Sequence, residues 1–370
     1  MPGPGVVSPV IGVSGVLGAL LAWLLGGVPV GPAECRVTLA AVGDIQTHVN
    51  LRRPREIPDG DPFALVRDAI AADLTVGNLE GPVRLDGREP MPGANGPSLE
   101  QPSNVGRLLA DAGFDLVSVA NNHALDFGPA AVLDTLATLR EAGVDASGAW
   151  EDPSDRFQPV IRSVGGVTIG FLAYTMWLNL PDLRAVVGLG NFRLDDVESE
   201  IAALRPYVDF VVVQVHWEKE NDHFTYGATR DLAHAMVDAG ADVVIGHHAH
   251  VLKGLERYRG AVIAYSLGNF VFGFEQGARG TSAILRLAMV RRADGVRSIE
   301  DVEVIPVTLG GPRAIPKVAT GGRWGRVVRL LAGLSHPMGT WVTLDGQVRS
   351  LEAGGAGPLP PRVRRWIGAR

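Results

Sequence analysis

The chain has 370 residues, 46% hydrophobic and 20% charged, enough to bury one large core or two smaller ones. A net charge of −6, with no basic stripe interleaved with aromatics, argues against nucleic acid as a main partner. The only cysteine, Cys35, excludes an internal disulfide framework and a thiolate-rich metal site.

Residues 1–33 carry no charged side chain, and 11–28 is almost wholly apolar. Three readings fit: a secretory signal peptide with Gly31-Pro32-Ala33 as a poor cleavage site, an uncleaved membrane anchor, or translation from a misassigned start. No Lys or Arg precedes the run, so the usual positive flank is missing. The expectation is an exported or membrane-anchored protein of the cell envelope, or a cytoplasmic one if the segment is no signal. Glu34 breaks a lipoprotein pattern ahead of Cys35, which reads as an incidental thiol at a strand start.

From residue 36 to about 306, strand and helix patterns alternate, which means a layered α/β domain. Apolar runs at 37–42, 74–76, 114–120, 210–215, 243–245 and 262–265 read as buried strands of an α/β sheet. Helices are predicted over 62–72, over 104–112 with Ser103 as cap, over 129–142 with Gly143 as stop, and over 195–204 and 229–239. Segments 160–162 and 167–172 form a hairpin around Gly165-Gly166, and 284–290 with 302–307 flank Asp294-Gly295 as late antiparallel strands. Residues 85–97 are an exposed Gly/Pro-rich loop. Beyond Gly310 the signal weakens to one short helix over 327–334 and a Pro/Gly-rich, arginine-ended tail over 354–370. The expected organisation is 1–35 signal peptide or membrane anchor, 36–310 metallo-dependent domain, and 311–370 C-terminal extension and Pro/Gly-rich tail.

All six runs end on polar residues of one kind. They lead to Asp44, to Asn78-Leu79-Glu80, to Asn121-Asn122-His123, to His216, to His247-His248-Ala249-His250 and to Asn269. Ligand sites in open α/β sheets lie at the carboxyl ends of strands, so these residues are expected to converge on one edge. Carboxylate, amide oxygen and imidazole suit Mn, Fe, Zn or Mg. Glu80 could bridge two ions, and ligands from many strands exceed what one tetrahedral ion needs, so the natural reading is two divalent metals.

In this order, Gly43-Asp44, Asn78-Leu79-Glu80, Ala120-Asn121-Asn122-His123, Val215-His216-Trp217, Gly246-His247-His248-Ala249-His250-Val251 and Ser266-Leu267-Gly268-Asn269-Phe270 resemble the capsule-synthesis CapA family. That family is similar to the calcineurin-like metallophosphoesterases and is associated with poly-γ-glutamate capsules. The resemblance implies a four-layer αββα sandwich of metallophosphoesterase type. It implies metal ligands at Asp44, Glu80, Asn122, His216, His248 and His250, with His123 as the proton donor to a leaving group. Gln46 stands where the phosphoesterases usually place a histidine, and Glu80 where they place an Asp. Glu218 stands where the family usually places a glycine.

Strand alternation supports His248 and His250 as a ligand pair, because in an extended segment both point one way and His247 points away. His247 is then expected to act behind the ligands, as is Glu218 unless it narrows the pocket. Asn121 reads as a turn residue bonding backbone, while Asn269 either ties down a turn or contacts substrate. Trp177 and Trp217 are expected to pack, and His223 and His234 to lie at the surface or core edge.

Three functions compete. The first is a metal-dependent hydrolase of a phosphoester or a γ-glutamyl amide, acting on an anionic polymer with membrane capsule-synthesis partners. The second is a metal-dependent peptide epimerase with a peptide substrate. The third is a non-catalytic accessory protein that binds the polymer, for which the Gln46 departure is the one visible gap in the ligand set. Fold alone does not decide among them.

Overall fold

The structure, a computed structural model, describes residues 34–48, 60–85, 87–93, 96–152, 157–180, 188–273, 277–310 and 315–350. The expectations for 1–33 and for the tail lie outside the described residues. Among the described residues, no helix is long and apolar enough to cross a membrane.

Each of the six apolar runs contains a strand, but they divide between two sheets rather than one. The first sheet contains β1 (Glu34–Ile45), β2 (Leu74–Leu79), β3 (Leu116–Ser118) and β4 (Asp145–Ser147), all parallel. It continues on the other side of β1 through β14 (Thr281–Arg292), β15 (Arg297–Gly310) and β16 (Ile315–Val318), all antiparallel, and the short β13 (Asn269–Val271) also pairs with β1. The second sheet runs β11 (Leu255–Tyr258), β12 (Ala261–Ala264), β10 (Val243–His247), β9 (Phe210–His216), β7 (Val167–Thr175) and β6 (Val160–Val164). Two small pairs, β5 (Ala149–Trp150) with β8 (Gly188–Leu189) and β17 (Thr340–Val342) with β18 (Val348–Ser350), complete the strands.

Side-chain alternation along these strands builds the layers. Val37, Leu39 and Ala41 of β1 meet Ile169 and Phe171 of β7, Val212 of β9 and Val243 and Ile245 of β10 in the core between the sheets. The alternate residues Ala40 and Val42 face α2 (Val105–Ala112) and α3 (Pro129–Ala142), where Leu109, Val132 and Leu139 bury. On the far side, Val211, Val213 and Val215 face α4 (Leu194–Leu204) and α5 (Gly227–Ala239) through Ile201 and Met236. Helix, sheet, sheet, helix is the four-layer αββα sandwich that the resemblance implied.

Several boundaries differ from expectation. Of residues 62–72 only α1 (Arg67–Ile70) is helical, because 62–66 form turns that bury Phe63 and Val66 against the core. Asn104, not Ser103, occupies the cap position of α2, and its side chain makes no capping bond. The late helix starts earlier than predicted: α6 (Gly322–Ser335) begins with a polar, Arg- and Gly-rich turn that periodicity cannot detect, and its Val327, Val328 and Leu331 join the core between the sheets. Cys35 is buried at the start of β1, as expected.

Candidate metal centre

The carboxyl ends of β1, β2 and β3 in one sheet, and of β9 and β10 in the other, face each other across a single polar cluster. Asp44 is placed by a break in β1. The pairing with β2 shifts register between Ala41 and Asp44, and Gly43 permits it: a Cβ there would stand 1.8 Å from the Gly268 carbonyl oxygen. Asp44 then lies in register with Asn78 on one side and Asn269 on the other. Asn78 Nδ2 donates to Asp44 Oδ1 at 2.8 Å.

From the second sheet come His216, at the end of β9, and the histidines after β10. His216 is in register with His247. His216 Nε2 lies 2.8 Å from Asn122 Oδ1, and its ring is 4.6 Å from that of His248. The expectation of an extended 247–250 segment fails. β10 ends at His247, and His248 and His250 take left-handed backbone with φ of 83° and 56°. Such conformations are costly for side chains other than glycine and tend to occur at functional sites. The loop nonetheless delivers both imidazoles. The His248 backbone N–H donates to Asp44 Oδ2 at 3.3 Å, and His250 Nδ1 sits 2.8 Å from Asn269 Oδ1. That contact assigns the His250 proton to Nδ1 and leaves Nε2 facing Glu80 Oε1 at 3.6 Å.

Glu80 is the decisive residue. It is fully buried, yet neither carboxylate oxygen has a hydrogen-bond partner among the described residues. Its neighbours, His250 at 3.6 Å and His123 at 3.8 Å, stand too far for a hydrogen bond. Burial pushes its carboxyl up to about 7. Burial also acts to raise Asp44, but hydrogen bonds and charge from His247 and His250 outweigh it and hold Asp44 well below the usual range. Burial and the neighbouring histidines depress His216 strongly and bring His248 down to about 4, while His250 is raised to about 10 against its own burial by Glu80 and Asp44. The buried His248 Nδ1 is likewise unpaired. A set of buried oxygen and nitrogen donors with open valences fits a divalent cation and needs no thiolate. Ligand atoms of Asp44, Glu80 and His216 lie within 4.8 Å of one another, as do those of Glu220, His248 and His250.

The remaining predicted residues surround this set. His247 lies behind the ligands, with Nδ1 3.4 Å from Asp44 Oδ1 and Nε2 3.2 Å from Gln214 Oε1. Asn121 bonds backbone, donating to the Leu79 carbonyl at 2.8 Å and accepting from Gly81 N at 3.3 Å. Gln46 is buried; its amide nitrogen donates to the Glu100 carbonyl at 2.9 Å, and its Oε1 has no hydrogen-bond partner among the described residues. Glu218 keeps the backbone a glycine would adopt, φ 67°, and its carboxylate pairs with the buried Lys253 ammonium. Trp217 packs on Tyr265, whereas Trp177 is half exposed, because it follows β7 in an open turn rather than lying under a helix. His223 bonds the Leu252 carbonyl and His234 stacks on Tyr258, both at the core edge.

Residues 38–274 match the family model described as bacterial capsule synthesis protein PGA_cap, over more than half of the chain. The chain belongs to this family. It is 32% identical over 275 residues to the PGA biosynthesis protein CapA of Bacillus subtilis, covering 72% of this chain and 71% of the relative. It is 30% identical over 328 residues to the capsule biosynthesis protein CapA of Bacillus anthracis, covering 84% and 78%. A probable polyglutamine synthesis accessory protein of Mycobacterium tuberculosis is 28% identical over 291 residues, covering 73% and 74%.

Four residues of this family member escaped the sequence reading. Asn78, already inside a motif, anchors Asp44. Asp126 Oδ2 lies 2.6 Å from His123 Nδ1, and only its position one helical turn after His123 could have signalled it. Asn179 Nδ2 contacts both His123 Nδ1 at 3.1 Å and Asp126 Oδ1 at 3.4 Å. Because the short contact to Asp126 takes the Nδ1 proton, the Asn179 amide serves the carboxylate. Glu220 reaches the cluster from the loop after β9, in a polar stretch without any periodic signal.

Proposed function

We propose that this capsule synthesis protein is a metal-dependent hydrolase acting on an anionic polymer at the cell envelope, with two divalent ions at the Asp44–Glu80 cluster. The observation that carries the reading is the doubly unpaired, fully buried Glu80 carboxylate between imidazoles from both sheets. Asp44, Glu80, Asn122, His216, His248 and His250 would hold the ions, Asn78 and His247 would fix Asp44, and Asn269 would fix His250. When bound, a pair of divalent ions supplies a nucleophile from water near neutral pH and steadies charge on a substrate oxygen.

The protein's own groups do the rest. Asp126 fixes the His123 ring through Nδ1, so that Nε2 faces the cluster, 3.8 Å from Glu80. From there His123 delivers a proton to the departing group. The burial of Asp44, Glu80 and His216 keeps bulk water from them and strengthens every charge interaction inside the cluster.

One observation favours a second reading, a non-catalytic accessory protein: at the position where the phosphoesterases usually carry a histidine stands Gln46, whose amide nitrogen is taken up by the Glu100 carbonyl. Elemental analysis of metal-reconstituted protein separates the readings when paired with assays on γ-glutamyl oligomers, aryl phosphates and peptides in deuterated water. The hydrolase reading expects about one to two equivalents of metal per chain and metal-dependent cleavage, both lost in Glu80→Gln. Metal without any cleavage would favour the accessory reading. Deuterium uptake at Cα without cleavage would favour an epimerase.

A further inference from the structure

A groove lies beside the metal centre, against the outer strands of the first sheet. Its volume is about 600 Å³, and it is lined by Gly277, Gly280, Thr281 and Thr308 on one wall and by Arg323 and Arg326 of α6 on the other. Strand register fixes its place. β14 runs antiparallel to β1, with Leu285 opposite Ala41, so Thr281 lies at the end of the sheet where β1 delivers Asp44. Thr308 pairs with Thr281 and, on its other side, with Lys317.

The cations here lack counter-ions. Arg323, Arg326, Arg329 and Lys317 are all exposed, and none has a carboxylate partner among the described residues, in a chain whose net charge is −6. Most other arginines of the described residues are paired, such as Arg205 with Asp242 and Arg230 with Glu256. Nor do the three arginines stabilise their helix. Arg323 and Arg326 occupy its first half, where no acidic residue balances them and where a cation in the first turn opposes the helix dipole, and Arg329 lies at its middle.

The groove also connects to the centre through a short bonded path. The turn at Gly277–Gly280 carries Arg279, which pairs with Glu220 at 3.7 Å and bonds the Asn221 side chain. The Asn221 backbone N–H donates to the Ala249 carbonyl at 2.8 Å, inside the histidine loop, and Glu220 stands within ligand reach of His248 and His250. Arg279 thus ties the turn at the groove wall to the loop beside the metal ligands.

We propose that this groove is the binding track for a polycarboxylate chain, with Arg323 and Arg326 of its wall engaging successive carboxylates. Val327 and Leu330, which line the same cavity, offer apolar surface to the methylenes between them. The inference deepens the hydrolase reading by giving its polymer a path, but binding in the groove does not require turnover. Steering by unpaired cations predicts affinity that falls steeply with salt.

The test is fluorescence anisotropy of a dye-labelled γ-linked glutamate oligomer against the full chain at low and high salt. The parent is expected to bind more tightly at low salt. Arg323→Ala/Arg326→Ala should weaken binding by roughly tenfold there and flatten the salt dependence, at an unchanged melting temperature. Arg323→Lys/Arg326→Lys should recover most of the affinity, and Arg107→Ala, which removes an exposed arginine of α2 outside the groove, should bind like the parent. An oligomer that binds in the groove yet is never cleaved would defeat the hydrolase reading and leave the track standing. Equal affinity of parent and the double alanine variant would overturn the track. So would duplex DNA or anionic lipid vesicles competing more strongly than the oligomer itself.

Discussion

Asp126 and His123 form a pair whose purpose is visible only at the level of single atoms. Nδ1 of the imidazole is occupied by a carboxylate at 2.6 Å, so the ring cannot turn, and its other nitrogen is presented to the cluster. If His123 is the proton donor, His123→Ala should keep fold and metal content yet slow turnover by about 10²–10⁴-fold, with a smaller loss on substrates whose leaving groups need no proton. Asp126→Asn should lower kcat as well while leaving the ring in place, because the amide orients the imidazole less strictly. Parent-like turnover of all substrates by His123→Ala would make it a turn residue only. Single residues were also where the sequence was least complete. Asp44, Glu80 and the histidines stood out because each terminates an apolar run. Asn179 and Glu220 come from segments with no periodicity, and nothing in the order of residues says that those segments fold over the strand ends.

At the level of elements, six strands were legible because β-branched runs bounded by polar residues have no other stable use. That they form two sheets was not legible from periodicity, since buried parallel strands look alike whichever sheet they join; only the family resemblance implied it. The loops after β9 and β10 show why the extended reading of 247–250 failed. They are clasped together: Asn221 bonds Ala249, His223 bonds Leu252, and the enclosed Lys253 ammonium meets both the Glu218 carboxylate and the Phe224 carbonyl. The clasp holds the histidine loop in a shape that alternation cannot anticipate. Removing one partner of so enclosed a pair strands a buried charge, so Lys253→Met should cost about 3–5 kcal/mol in urea unfolding. Adding Glu218→Gly removes the stranded carboxylate and suits the positive φ, so the double variant should recover much of that loss. A double variant as unstable as the two single losses added together would show that the two side chains act independently.

For the whole molecule, three cores separated by two sheets account for the buried apolar residues, and α6 with the β17–β18 pair closes the edge of the central one. The first strand of that framework begins at Glu34 and buries from Cys35 onward. A chain lacking residues 1–33 should therefore melt cooperatively at the temperature of the full chain, as followed by circular dichroism. Aggregation or a broadened transition would place that segment in the folded core. The position of β1 has one more consequence. It lies in the interior of its sheet, and its partner β14 pairs Cys35 with Arg291, 256 residues further along. The first strand among the described residues thus has an open side until β14 has been made. At ordinary rates of synthesis that wait is on the order of tens of seconds, during which the central strand cannot be locked in place. A polypeptide built this way keeps its central strand open for most of its synthesis, and its first sheet closes only once the late strands arrive.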